Sequence, residues 1–78
     1  MGKDTDTYYP IPPMWQQADG MPLSCEEKIK VMNQNYQEIR QLAQDMLQDA
    51  VLMGCDEVQV RAALRELVDS LVNPYRAP

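Results

Sequence analysis

Apolar side chains recur at Cys25, Ile29, Met32, Tyr36, Ile39, Ala43, Met46, Ala50 and Met53, in steps that alternate between four and three residues. A 3.6-residue repeat gathers those positions onto one face about 120° wide, so the spacing predicts a long amphipathic helix over about 25–53. A row of neutral amides, Gln34, Gln37, Gln41, Gln44 and Gln48, runs along the opposite face. Ser24 with Glu27 three residues on reads as a capping box, and acids in that turn suit the helix dipole. Gly54 is placed to stop the helix in a left-handed conformation, and Asp56 to cap a second helix over about 57–72. The second apolar arc is Val60, Ala63, Leu64, Leu67, Val68 and Leu71, ended by Asn73-Pro74. Links of two or three residues join antiparallel helices. The expected fold is therefore all-α: an antiparallel αα-hairpin (residues 24–73), preceded by an extended N-terminal arm (1–23) and followed by a short tail (74–78).

The arm holds four of the six prolines and three of the five aromatics. Proline fixes φ and removes a donor, so an extended, polyproline-like course is expected there. Burial of each large apolar side chain is worth roughly 1.5 to 3 kcal/mol, so Tyr8, Tyr9, Ile11, Met14 and Trp15 should lie against something. Pro10 and Pro13 form a P-x-x-P without a neighbouring Lys or Arg to orient it. At ~1.5 Å per residue the first helix would run about 43 Å and the second about 24 Å. The shorter one then covers the longer only from about residue 38, leaving Cys25, Ile29, Met32 and Tyr36 uncovered. Three covers are open: the arm, a second copy, or a different protein.

Length sharpens that need. The chain has 78 residues, 45% hydrophobic and 24% charged, which allows one small globular domain. Below about 80 residues a core rarely yields more than roughly 3 to 5 kcal/mol, so a partner, disulfide or metal usually supplies the rest. Twelve acids against seven bases give a net charge of −5, spread along the chain. No basic face exists to release counterions from phosphates, so neither nucleic acid nor an anionic membrane is an expected partner. The acidic second helix and the long first one also disfavour a DNA-reading helix-turn-helix. The longest apolar run, Ala50 to Met53, is too short to span a bilayer, and Met1 to Pro10 has no signal-peptide core. A cytoplasmic location is expected.

With no histidine and no phosphate-cradling glycine loop, no catalytic, cofactor-binding or metal residue is expected. Cys25 and Cys55 are the possible thiols. The hairpin sets them at opposite ends of its long helix, too far apart for an internal disulfide, although an antiparallel dimer could pair one with the other. Both stand near helix N-termini, where a thiol pKa can fall. Glu38, Asp45 and Asp49 lie along one flank of the first helix with Val31 and Leu42 between them. Di-metal bundles use Glu-x-x-His, which is absent, so the flank is a solvated boundary or a face for a basic partner. Asp45 and Asp49 repel at i,i+4, whereas Glu26 with Lys30 and Glu57 with Arg61 attract. The glutamine row is a solvated face or a polar docking surface, and Met32, Met46 and Met53 are core fillers or an adaptable groove.

The run Met53-Gly54-Cys55-Asp56-Glu57-Val58-Gln59-Val60-Arg61-Ala62-Ala63-Leu64 resembles the first loop and second helix of ubiquitin-associated domains. That resemblance implies ubiquitin contact through Met53 and Gly54. Cys55 stands where those domains carry an aromatic, and no third helix is read after the second.

The combined expectation is a non-catalytic protein-interaction module, an accessory or regulatory subunit docking on a larger protein. The partner-binding residues would be Tyr8, Tyr9, Ile11, Met14 and Trp15 of the arm and Ile29, Met32 and Tyr36 of the uncovered half-helix. The alternative is a homodimeric four-helix bundle with a thiol-redox or metal-handling role for Cys25 and Cys55.

Overall fold

A computed structural model describes residues 11–75, so Tyr8 and Tyr9 lie outside the described residues. Two helices form, α1 over Glu26–Leu52 and α2 over Glu57–Asp69, and the described residues contain no strand. The chain is all-α, as the periodicity predicts. It divides into two compact units, Met1–Ile39 and Arg40–Pro78, with the boundary inside α1.

In the first unit, residues 15–23 fold into a tight turn. Leu23 N–H donates to the Trp15 carbonyl at 2.8 Å, Gln17 N–H to Met21 at 2.7 Å, and Gly20 N–H to Gln17 at 2.9 Å. Gln16 and Pro22 form an isolated antiparallel bridge. Gly20 takes φ +90°, and the Asp19 carboxylate accepts the Met21 N–H at 3.0 Å. Proline density predicts an extended course here; the Asp19-Gly20 pair bends it, since glycine enters the left-handed region without a Cβ clash.

The same turn sets where α1 starts. Residue 23 is tied into an extended pairing, and the first helical bond runs from Ile29 N–H to the Cys25 carbonyl at 3.0 Å. Cys25, not Ser24, therefore occupies the cap position. Lys28 becomes the third helical residue, so the expected Ser24–Glu27 capping box does not form.

At the other end of α1, Cys55 N–H donates to Ala50 at 2.8 Å and Gly54 N–H to Val51 at 3.1 Å, with Gly54 at φ +90°. This paired closure, a Schellman motif, satisfies carbonyls that the helix end would otherwise orphan. Asp56 then caps α2: its backbone is extended and its carboxylate accepts Gln59 N–H at 2.8 Å. α2 stops at Asp69, three residues short of the expected end. The Ser70 hydroxyl donates to the Leu67 carbonyl at 2.6 Å, and Leu71 N–H reaches Val68 at 3.2 Å, tightening the last turn. Asn73, preceding a proline, is disfavoured in helix in any case.

The buried core among the described residues is two side chains, Ala50 and Val60, each 6% exposed, both in the second unit. Ala43, Leu47, Ala63 and Leu64 are half-buried around them. The expected arc of α2 is thus covered only over its first turns; Leu67 at 60% exposure, with Val68 and Leu71 beyond it, stays open.

Candidate functional site

Trp15, half-buried, joins the turn segment to α1 in the first unit. Its ring meets Tyr36 edge-on, with centroids 5.8 Å apart and planes at 74°. Its indole N–H donates to the Asn33 side-chain oxygen at 2.7 Å. Asn33 and Tyr36 are three residues apart and share a helical face, so one indole satisfies both its apolar body and its polar tip. The segment before α1 therefore covers part of the half-helix that the length comparison left bare. Sequence alone gave no weight to Asn33; its place beside Tyr36, at the edge of the apolar face, was the only signal.

The expected docking residues divide accordingly. Trp15, Ile29 and Tyr36 are half-buried, Ile11 and Met14 are exposed, and Met32 is 39% exposed. Leu23, Glu27, Lys28, Val31 and Met32 line an open depression beside them.

Along α1 the apolar stripe separates into two rows of seven-residue spacing. Ile29, Tyr36, Ala43 and Ala50 are half-buried or buried, while Met32, Ile39, Met46 and Met53 are exposed. Positions three apart lie about 60° apart around a helix, so a cover seated on one row misses the other. In each unit the cover reaches one row and leaves the next open.

Both cysteines are free and exposed. The Cys25 thiol is held below the ordinary thiol range, foremost by the backbone N–H of Lys28. Desolvation opposes this, and the Glu27 N–H and the Lys28 charge add to it. Cap position explains the effect, since the first amides of a helix favour an anion.

The carboxylate flank has amide partners. Gln34 donates to Glu38 at 3.3 Å and Gln41 to Asp45 at 2.9 Å. By contrast Glu57 pairs with Arg61 at 2.9 Å. Among the described residues no group of three or more His, Cys, Asp or Glu side chains is placed to hold a metal ion. No helix among them is long and apolar enough to cross a membrane.

Against known proteins, the chain matches no family model, no curated protein and no solved structure. The likeness of residues 53–64 to ubiquitin-associated domains stays local: Met53 is exposed and Gly54 is the left-handed turn, with two helices among the described residues.

Proposed function

We propose that the chain is a non-catalytic interaction module, an accessory subunit completed by the apolar surface of a larger protein. The observation that supports it is the open row on each unit beside a covered one, in a chain whose described residues bury only Ala50 and Val60. Exposed apolar side chains in series, rather than scattered singly, mark docking faces. In this proposal α2 returns antiparallel to α1, and the N-terminal segment is a docking arm. Tyr8, Tyr9, Ile11 and Met14 are its anchors, Met32 receives the partner on α1, and Trp15 with Tyr36 braces the arm from within. Placement in the cytoplasm accords with two unpaired cysteines.

The test uses the exposed residues, because changing Trp15 or Tyr36 would disturb the brace itself. With the partner identified by cross-linking in native material, the triple change Ile11→Ser, Met14→Ser, Met32→Ser should weaken binding by about tenfold or more, as loss of apolar anchors does. Far-UV circular dichroism should be unchanged. Unaltered affinity would show these are not the anchors. Sedimentation at micromolar concentration should give a monomer; a dimer would favour the four-helix alternative.

A further inference from the structure

We propose that the α1 face carrying Leu42, Asp45, Met46, Asp49 and Met53 binds a basic amphipathic helix of another protein. The partner's apolar side chains rest on Leu42 and Met46, and its Lys or Arg side chains meet the two aspartates. This rests on the interaction-module proposal and names the chemistry of the partner.

The five positions fall at i, i+3, i+4, i+7 and i+11, within about 100° of the helix circumference. Met53 N–H still donates to the Asp49 carbonyl at 3.0 Å, so the spiral continues through it. Leu42 is 71% and Met46 47% exposed, and Met53 is also open. All five belong to the second unit. This is an apolar strip with acids on its own face, not on the opposite one.

Among the described residues these acids meet no cation. Asp45 accepts from the Gln41 amide, and among the described residues no ion pair reaches Asp45 or Asp49. The last turn of α1, which contains Asp49, has no basic residue. That turn is also the negative end of the helix dipole, where a carboxylate is disfavoured and a cation favoured. Aspartate is also a weak helix former, and two of them one turn apart repel. A merely solvated face is better built from Glu and Lys, and this chain does so at Glu57 and Arg61. Two carboxylates one turn apart toward the negative end of the helix dipole favour a cationic partner segment.

Other occupants lack that charge. A second copy paired symmetrically through this face brings the same aspartates to the seam, and anionic lipid or nucleic acid carries the same sign. The unbranched Met46 and Met53 suit a peptide face whose side-chain shapes vary.

The test uses fluorescein-labelled synthetic amphipathic peptides with a leucine face, edged with lysine in one and with glutamate in the other. Fluorescence anisotropy reads their binding to the full chain. The lysine peptide should bind and weaken with salt; the glutamate peptide should not bind. Asp45→Asn with Asp49→Asn should cost about tenfold or more in affinity, as should Leu42→Ser. A control removing two charges elsewhere, Glu26→Gln with Glu66→Gln, should leave affinity within about twofold, because long-range charge is screened. Equal losses in both charge variants would reduce the binding to net-charge attraction and overturn the proposal. If Leu42→Ser weakens binding and the aspartate changes do not, the apolar docking face stands and the basic partner falls. If none of the variants changes binding, this strip docks nothing, and neither proposal holds for the second unit.

Discussion

At Trp15 a single side chain connects the turn segment to α1. An aromatic pair is worth about 0.5 to 1.5 kcal/mol beyond its area, and a part-buried hydrogen bond about as much again. Together they are comparable to a large fraction of what a chain this short can accumulate. Nothing local announces the contact, because Trp15 and Asn33 are eighteen residues apart. Gly54 and Asp56 are the opposite case: their roles follow from left-handed backbone freedom and a short acceptor side chain, and both were legible in the sequence. Cys25 lies between these cases. Proximity to a helix start was readable; occupation of the cap itself depended on the turn that holds Leu23. Because the folded chain favours the Cys25 thiolate, the associated stabilisation is fully present above the unfolded thiol's pKa and is lost as pH falls through the lower folded value. In a Cys55→Ser background, the midpoint of the iodoacetamide rate against pH should lie lower for the native chain than for the chain in denaturant. Coincident midpoints would refute the cap assignment.

The helices themselves were the most legible elements. A 3.6-residue period with caps at both ends is local information, and the observed bounds differ from the expected ones by at most three residues. The misses were where a neighbour intervened. Ser70 bonded back to Leu67 and ended α2 early, and the Asp19-Gly20 turn was hidden among prolines that spoke for an extended chain. The link between α1 and α2 depends on Gly54 at φ +90°, where an added Cβ would meet no atom within 4 Å. Substitution there is opposed by backbone strain alone. Gly54→Ala should therefore destabilise by about 1 to 2 kcal/mol in urea unfolding. A neutral result would mean that the Schellman closure contributes no net constraint.

Within each unit one apolar row finds cover and its neighbour does not. The length comparison anticipated an uncovered strip but placed it only on the N-terminal half of α1. The arm was one of three covers left open for that half, and Trp15 takes part of that place. α2 was expected to shelter the stripe from about residue 38, where Ile39, Met46 and Met53 are exposed, as are Leu67 and Val68 of its own arc. Helix lengths constrain reach; they do not fix which row a cover sits on, and that choice decides where a partner can bind. A chain in this condition should be weakly stable alone. Equilibrium urea unfolding of the isolated 78-residue chain, with sedimentation confirming a monomer at the same concentration, tests this most directly. An unfolding free energy below about 3 kcal/mol is expected for so small a core. A monomer holding more than about 5 kcal/mol would contradict the account, because its exposed rows would then need no partner.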